Sequence, residues 1–462
     1  MSVIEEGKCR IEFLNNKGLG VGFTDLGQVT LPYTLVGELV TFERHTYRGK
    51  ANCILKEIIE PSQTRQTPEC KYFTSCGGCL LQHLSIVDYN NFKHNVGLDA
   101  LLSQGIHTII NPIITIPPSN RRRANLEVIK KNDQVFLGFH RFHSHQIINI
   151  NECPALLPQL SHLIIPLKEV FNQILEHKQK AQLFITNCHN GIDITITIQE
   201  QSCLRTEQRK ILLEFAKHYK ITRLLFRYRK SLDIIQELER PYVLFGNIAV
   251  EVDAYSFLQS SSLSDEILQD LIFKYLDCQG QNVIARNEVT KQSQKILDST
   301  SRDCHVASVP SNDNSVNPQS IVDLFCGRGT YTIPLSNYFK VDGFESDQMS
   351  IDAIKRAILN TDRQITLEKR DLFNFPLTAL ELNKYNFCTI NPPRAGASSQ
   401  CQELANSDID KIIYISCNPE SFASDAKILT DNSYILVEVT LLDQFYWSPH
   451  IELVGFFRKN KA

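Results

Sequence analysis

The C-terminal half of the chain alternates between helical and strand patterns, and this alternation constrains the fold more than any other feature. From about residue 262, EILQDLIFKYL has the period of an amphipathic helix, and apolar runs then recur with helical stretches between several of them. The runs that predict strands are IVDLFCG, VDGFESD, NFCTINPP, KIIYISCNP and YILVEVTLLD. Strands that alternate with helices form a doubly wound sheet, so we predict an α/β, Rossmann-like domain over residues 256–462.

A glycine-containing turn follows the first of these strands and predicts a cofactor site. Gly327 and Gly329 come after the strand that ends at Asp323, where the backbone can approach a ligand closely and the next helix begins. Glu345 ends the next strand, about 20 residues on, where an acidic side chain can hold a ribose hydroxyl. These residues alone leave NAD open as the ligand.

Two further loops follow strands that should end at the same edge of the sheet. Asn391 opens the run Asn-Pro-Pro-Arg-Ala-Gly, in which two prolines stiffen the loop. Cys417 follows the strand KIIYI and opens the run Cys-Asn-Pro. A single cysteine is usually a buried apolar residue, but three loops that converge on one crevice favour a functional thiol here.

A second group of cysteines predicts a metal site. Cys70, Cys76 and Cys79 lie within ten residues around a Gly-Gly turn, and Cys153 is followed by proline. Four thiols in this arrangement can hold an iron–sulfur cluster or a structural zinc ion, and the spacing alone leaves both open. It disfavours a radical enzyme, which uses a different cysteine spacing.

The rest of the chain predicts a modular organisation. Residues 1–60 contain short alternating runs separated by turn residues, which predict a five-stranded antiparallel barrel that binds RNA or only packs on its neighbour. Residues 70–255 mix strand and helix patterns and predict a central α+β domain. Residues 279–319 are rich in Ser, Asn, Gln and Asp without any period, and we interpret them as a disordered insert.

Charge is distributed in a way that allows an RNA partner. The formal net charge is −3, but residues 71–151 carry eight Lys or Arg against four Asp or Glu. Arg121, Arg122 and Arg123 are consecutive, so on a strand they would point to both faces; some would reach RNA, unless the run is only an exposed charged surface. No apolar stretch reaches the ~18 residues that span a bilayer, so we expect a cytoplasmic protein without a membrane, and no protein partner is evident.

Together these runs resemble the RNA 5-methyluridine methyltransferase family. The motifs DLFCGRGTYT, NPPRAGA, YISCNPESFASD, DQF with HIE, and FLQ occur in the family's order. The resemblance implies S-adenosylmethionine as cofactor and a uridine in RNA as substrate. It implies Cys417 as the nucleophile that adds to carbon 6 of uracil, so that carbon 5 can take the methyl group, and Glu452 as the base that removes the proton from carbon 5. The cofactor residues it implies are Gln259, Phe325, Gly327, Thr330, Glu345, Asp371 and Asn391.

The resemblance also narrows the substrate. The cysteine set is similar to the [4Fe-4S] site of the ribosomal branch of the family, and residues 1–60 are similar to its small RNA-binding TRAM domain. We therefore expect a uridine in 23S ribosomal RNA, with transfer RNA as the alternative. The family has Asp where this chain has Asn391, which removes a charge beside the sulfonium. A non-catalytic RNA-binding or assembly protein of the same fold is the alternative from another class.

Overall fold

The computed structural model describes residues 3–25, 27–47, 50–278 and 319–460. The predicted insert lies outside these residues, except for Gln319. Within the described part, no helix is long and apolar enough to cross a membrane.

The first region consists of six strands in two antiparallel sheets, ordered β1-β5-β6 and β2-β3-β4. The strands are β1 (Val3–Arg10), β2 (Phe13–Leu14), β3 (Gly20–Thr24), β4 (Gly27–Leu31), β5 (Leu39–Tyr47) and β6 (Lys50–Glu60). β1 packs on β3 and β4 packs on β6, around a shared core that includes Val40 and Phe42.

The expected five strands were wrong by one, because the first alternating run, CRIEF at residues 9–13, is split between the two sheets. The Ile11 N–H donates to the Glu38 carbonyl (2.9 Å), whereas the next N–H, of Glu12, donates to the Val21 carbonyl (2.8 Å). The chain therefore passes from one sheet to the other at this point, and the run that was assigned to one strand contributes to two.

The next segment joins the C-terminal sheet, although the sequence analysis assigned it to the central domain. It contains α1 (Ile86–Ser103), β7 (Ile109–Ile110) and β8 (Ile114–Thr115). β7 and β8 pair in parallel with a strand near the C-terminus, and Gly97 on α1 lies against Leu441 of that strand. Backbone pairing with the larger sheet, together with burial of Ile114 on β8, outweighs their position in the sequence.

The central region is a six-stranded sheet with helices packed on it, ordered β10-β9-β11-β12-β13-β14. Its strands are β9 (Arg123–Lys131), β10 (Gln134–Gly138), β11 (Lys180–Cys188), β12 (Gly191–Ile198), β13 (Arg223–Tyr228) and β14 (Ser231–Glu237), followed by the hairpin β15 (Tyr242–Phe245) and β16 (Ile248–Glu251). Its helices are α2 (Pro158–Ser161), α3 (Ile164–Ile174) and α4 (Thr206–His218). Apolar residues at helical spacing on α3, such as Leu167 and Phe171, are fully buried against the sheet.

The C-terminal region has the α/β architecture that the alternating pattern predicted. Its strands are β17 (Ser320–Leu324), β18 (Lys340–Glu345), β19 (Ile365–Lys369), β20 (Phe387–Ile390), β21 (Lys411–Ser416), β22 (Tyr434–Asp443) and β23 (Glu452–Lys459). Its helices are α5 (Ser262–Tyr275), α6 (Thr332–Leu335), α7 (Gln348–Ile358), α8 (Ala379–Leu382), α9 (Ser398–Ala405) and α10 (Pro419–Thr430).

The strand order of this sheet fixes where a site can form. The order is β19-β18-β17-β20-β21-β23-β22-β7, with β8 also on β22. β17 to β21 pair in parallel, and β23 runs antiparallel between β21 and β22. Because β17 has β18 on one side and β20 on the other, the direction of winding reverses there, and the crevice at its carboxyl end is the expected ligand site.

Candidate active site

The glycine turn after β17 lies beside the carboxylate at the end of β18. Phe325, Gly327 and Gly329 all have positive φ angles (59°, 53° and 85°), so the backbone turns back sharply towards α6. The Gly327 N–H donates to Glu345 Oε2 (3.0 Å), and the other Glu345 oxygen accepts from the N–H groups of Ser346 and Asp347. The turn and the acidic side chain expected to hold a nucleoside are thus in direct contact.

Other predicted cofactor residues gather at the same edge. The rings of Phe325 and Phe373 lie 5.4 Å apart, and Asp371, just after β19, accepts from the Phe373 N–H (3.0 Å). Asn391 directly follows β20, and its N–H donates to the carbonyl of Leu324, the last residue of β17 (3.2 Å). This hydrogen bond joins the start of the Asn391 loop to the start of the glycine turn. The Thr330 carbonyl accepts from the Gln269 side chain of α5 (2.9 Å).

Asp323 is a residue of this site that sequence reasoning did not assign. Its side chain is fully buried and accepts from the hydroxyls of Thr332 (2.6 Å) and Thr389 (2.8 Å), so it ties β17 to α6 and β20. Burial raises its pKa to about 6, against the lowering effect of the two hydroxyls. A charged residue inside an apolar strand was the available signal.

Cys417 lies at the carboxyl end of β21, immediately before the N-terminus of α10. Asn418 caps this helix by accepting the Glu420 N–H, and its Nδ2 donates to the Arg394 carbonyl (2.8 Å). The loop that Asn391 opens is therefore fastened to the cysteine turn. Burial and the nearby Glu452 raise the pKa of the Cys417 thiol, whereas Arg394 lowers it.

Glu452 is brought beside Cys417 by the strand register. Ser416 on β21 pairs with Leu453 on the antiparallel β23, so the next position along this register sets Cys417 opposite Glu452. The Glu452 side chain is only 2% exposed and accepts from Gln444 Nε2 (2.8 Å). Burial raises its pKa to about 7, so this carboxylate can exchange a proton near neutral pH.

Residues 444–451, which connect β22 to Glu452 and are called the base loop below, are anchored from α1. Lys93 Nζ donates to Asp443 Oδ1 (2.8 Å) and to the His450 carbonyl, and Tyr89 Oη donates to Asp443 Oδ2 (2.5 Å). At the outer end of the loop, Arg394 and His450 are 3.4 Å apart. Neither Lys93 nor Asp443 was expected from the sequence. The position of Lys93 on the apolar face of a helix was the feature that could have identified it.

Gln259 occupies the loop before α5 and is buried between the cofactor turn and the base loop. Its Oε1 accepts from Gln444 Nε2 (2.9 Å), and its Nε2 faces Tyr331 Oη at 3.5 Å. Gln259 is therefore connected to Glu452 through one intervening side chain.

Of the three consecutive arginines, Arg122 is structural. It is 4% exposed, pairs with Asp265 at 2.9 Å and donates to the Gln259 carbonyl (3.0 Å). This burial corrects the expectation that Arg122 contacts RNA, because a guanidinium enclosed by its own ion pair does not face a partner. Arg121 remains exposed, and Arg123 lies over the exposed ring of Phe257 at 5.2 Å.

The four cysteines of the predicted metal site line the same cavity as Cys417. The cavity has a volume of about 1330 Å³, and Arg121, Arg394 and His450 also line it. Within residues 3–25, 27–47, 50–278 and 319–460, no group of three or more His, Cys, Asp or Glu side chains is placed to hold a metal ion. The four thiols thus line one cavity, but they are not close enough together to bind a metal ion as they stand.

Hydrogen-bond donors nevertheless surround these thiols. Gln82 Oε1 accepts the Cys70 N–H (2.9 Å), and Gln82 Nε2 is closed to solvent without a hydrogen-bond partner among the described residues. Tyr33 Oη is closed to solvent and has no hydrogen-bond partner among the described residues. Burial, together with Cys76 and Cys79, raises the pKa of Tyr33 to about 12. Hydrogen-bond donors of this kind commonly bond the sulfur atoms of a metal site, so the side chains around the four thiols are chemically suited to an iron–sulfur cluster.

The cysteine segment is also joined to the base loop. The N–H groups of Leu80 and Leu81, directly after Cys79, both donate to the Trp447 carbonyl (2.9 and 3.0 Å). Trp447 has a positive φ of 64° and is buried. The cavity wall that holds the four thiols and the loop that carries Glu452 are therefore one hydrogen-bonded unit.

The fold and the crevice define a class: a Rossmann-like α/β protein with a glycine turn bonded to an acidic side chain, a thiol and a buried carboxylate on one sheet edge. Comparisons with known proteins specify the class further. The family model for tRNA (Uracil-5-)-methyltransferase matches residues 270–460. An uncharacterised RNA methyltransferase of Brucella suis is 31% identical over 100% of both chains, and one of Caulobacter vibrioides is 32% identical over 97% of this chain and 99% of its own.

The chain belongs to the RNA (uracil-5-)-methyltransferase family and is an enzyme that depends on S-adenosylmethionine. The 23S rRNA (uracil(1939)-C(5))-methyltransferase RlmD of Mannheimia succiniciproducens is 26% identical over 98% of this chain and 96% of its own. The crystal structure of Pyrococcus abyssi tRNA (uracil-54, C5)-methyltransferase with S-adenosyl-L-homocysteine matches in fold, with a TM-score of 0.69, 21% identity, and coverage of 97% and 99% of the two chains.

Proposed function

We propose that the protein methylates carbon 5 of one uridine in 23S ribosomal RNA, through a covalent adduct on Cys417. The observation that carries this proposal is the placement of Cys417 opposite Glu452, at the same sheet edge as the cofactor turn. A thiol and a base side by side are what addition and later proton removal at neighbouring carbons of one ring require.

Cys417 and Glu452 each carry out one step of the proposed reaction. The Cys417 thiolate adds to carbon 6 of uracil, and the electron pair of the ring double bond moves to the carbonyl oxygen at carbon 4. S-adenosylmethionine bound at the cofactor turn would supply the methyl group that carbon 5 takes, and would be left as the neutral thioether. Glu452 removes the hydrogen of carbon 5, the ring double bond re-forms, and the thiolate leaves. The pKa of about 7 on Glu452 suits a group that accepts a proton in each turnover.

In this proposal the cofactor is held by Gln259, Phe325, Gly327, Thr330, Glu345, Asp371 and Asn391. Their grouping at the ends of β17 to β20, with Gln259 beside them, supports the assignment. Asn391 supplies an amide where the family has a carboxylate, so it keeps an oxygen that can accept a hydrogen bond but adds no negative charge beside the sulfonium.

The proposed RNA site is the cavity between the first region, the cysteine segment and the crevice. Arg121 and Arg394 line it and would meet phosphates, and Arg123 with Phe257 offers a ring and a guanidinium to a base. We propose that Cys70, Cys76, Cys79 and Cys153 hold a [4Fe-4S] cluster that stabilises this wall. The shared cavity and the donor at Tyr33 support the proposal.

Transfer RNA is the second candidate substrate. The Pyrococcus structure covers 97% of this chain and carries a transfer RNA activity in its name, so overall architecture does not separate the two substrates. The ribosomal proposal rests on the relative from Mannheimia, which is more similar in sequence and covers nearly the whole chain.

Mass spectrometry of RNA from a strain without this gene tests the substrate. We expect one 5-methyluridine to disappear from 23S RNA, to return with the wild-type gene, and to stay absent with Cys417→Ala. Loss of the nucleoside from transfer RNA instead would establish the second candidate. No change in either RNA would contradict both and favour a non-catalytic RNA-binding protein.

A further inference from the structure

Gln444 lies between the cofactor side of the site and the candidate base. It is 6% exposed and comes directly after β22, at the start of the base loop. Its Nε2 donates one hydrogen bond to Gln259 Oε1 (2.9 Å) and one to Glu452 Oε2 (2.8 Å). Both N–H bonds of the amide are therefore used on residues of the site.

The other end of the amide is fixed by Ser260. Gln444 Oε1 accepts from the Ser260 N–H (3.2 Å) and from the Ser260 hydroxyl (3.0 Å), and the same hydroxyl lies 2.8 Å from the Gln444 carbonyl. A backbone N–H can only donate, so the oxygen of the amide must face Ser260 and the nitrogen must face Glu452. The orientation of the Gln444 side chain is determined by the loop that carries Gln259.

We propose that Gln444 is a positioning residue for the methyl transfer reaction: it aims the Glu452 carboxylate, favours its charged form, and couples it to the cofactor-side Gln259. This inference rests on the proposed role of Glu452 as the base that acts on carbon 5. An N–H donor stabilises a carboxylate more than a carboxylic acid, so the contact from Gln444 lowers the pKa of Glu452.

The surroundings of Glu452 make this donor significant. Burial raises the pKa of Glu452 to about 7, and the hydrogen bond from Gln444 is the contact that opposes it. The titratable groups that face Glu452 are Cys417 from the β21–α10 turn and Tyr331 from the start of α6, and Arg394 in turn acts on Cys417. Without the Gln444 donor, the effect of burial would no longer be opposed by this hydrogen bond, and the pKa of Glu452 would rise further.

The test is the pH dependence of the step in which the proton leaves carbon 5. The decay of the covalent protein–RNA adduct is followed in single turnovers, from pH 5.5 to about 9.5, for wild type and for Gln444→Met, which has similar volume and no donor. We expect the adduct to form in both, and the acid limb of its decay to move up by about one pH unit in the variant. At pH 7 this is a decay about fivefold slower, approaching about tenfold below pH 6, and the two rates converge at high pH.

Two further variants keep the result interpretable. Gln400→Met is the matched control: Gln400 on α9 is a buried glutamine whose amide bonds the Leu377 backbone (2.9 and 3.0 Å), so its acid limb should coincide with that of wild type. Gln444→Asn retains a polar amide but withdraws it from Glu452 by one methylene, so it should shift the limb in the same direction even where the methionine variant folds poorly.

The outcomes separate this inference from the proposed function. An unshifted limb in Gln444→Met, or in Gln444→Asn where the methionine variant does not fold, overturns the role of Gln444 while the base remains Glu452. A wild-type enzyme that forms no adduct, or whose adduct decays without an acid limb, overturns the proposed function itself.

Discussion

Lys93 and Asp443 form an ion pair that is closed to solvent, with both side chains 0% exposed and 2.8 Å between Nζ and Oδ1. The pair connects α1 to the end of β22, where the base loop begins. Burial lowers the pKa of Lys93, and Asp443 opposes this effect. A chain segment far from the catalytic motifs in sequence therefore determines where the loop that carries Glu452 starts.

Replacement of Lys93 by Met should destabilise the fold strongly. The substitution leaves the buried Asp443 with Tyr89 as its remaining side-chain donor, and loss of one partner of a buried pair costs about 3–5 kcal/mol. Urea unfolding measures the difference. The control is Lys427→Met, which breaks an exposed pair with Asp431 within α10 and should cost less than about 1 kcal/mol. Equal losses in both variants would contradict the anchoring role of Lys93.

Gly327→Ala should abolish tight binding of S-adenosylmethionine while it destabilises the fold only slightly. No protein atom lies within 4 Å of the position of an added Cβ, so the cost to folding is that of a non-glycine residue at φ 53°, about 1 kcal/mol. Gly329→Ala is the matched variant. Its Cβ would lie 3.1 Å from Ile333 and 3.2 Å from Ile354, so stability should fall more. Calorimetry and thermal unfolding separate the two effects; wild-type affinity in Gly327→Ala would rule out this turn as the cofactor site.

The cysteine site should hold iron. Protein purified without oxygen should be brown, and Cys79→Ser should lose both colour and iron, whereas Cys203→Ser, at an exposed cysteine elsewhere, should retain them. Absorbance and metal analysis give the answer. A colourless wild-type protein with one zinc ion per chain would show that the metal assignment is wrong.

Arg121→Ala should weaken RNA binding and reduce its dependence on salt. Arg121 is exposed in the cavity, so it can neutralise a phosphate; loss of one such contact lowers the slope of log affinity against log salt by about 1. Arg205→Ala is the control, because Arg205 is exposed but paired with Glu176 in the central region. Fluorescence titration at several salt concentrations measures both slopes, and identical slopes would remove Arg121 from the interface.

The α/β architecture and the family could be predicted because they depend on local patterns. The strands β17, β18, β20, β21 and β22 and the helix α5 lie where their apolar periodicity placed them. The glycine turn and Glu345 could be predicted from their spacing in the sequence. This spacing brings them together at the ends of neighbouring strands, where Gly327 bonds Glu345. The roles of Cys417, Glu452 and the four cluster cysteines stay predictions.

The remaining features depend on contacts between residues distant in sequence. β7 and β8 are two-residue strands, too short to show a period, and they are defined by pairing with β22. The split of the first apolar run follows from hydrogen bonds to two different sheets. The sequence gives no reason to distinguish Arg122 from Arg123. Arg122 is a buried structural residue because it contacts Asp265 and the Gln259 carbonyl, which are distant from it in sequence.

The most direct test of the covalent mechanism uses Glu452→Gln with RNA substrate and S-adenosylmethionine labelled in the methyl group. In the proposed mechanism Cys417 acts before Glu452, so this variant should add to the uridine and take up the methyl group, then stop because the proton on carbon 5 remains. We predict a protein–RNA adduct that carries the label and survives denaturing electrophoresis, and no such adduct with Cys417→Ala. Normal turnover by Glu452→Gln without a labelled adduct, or methylation by Cys417→Ala, would contradict the account.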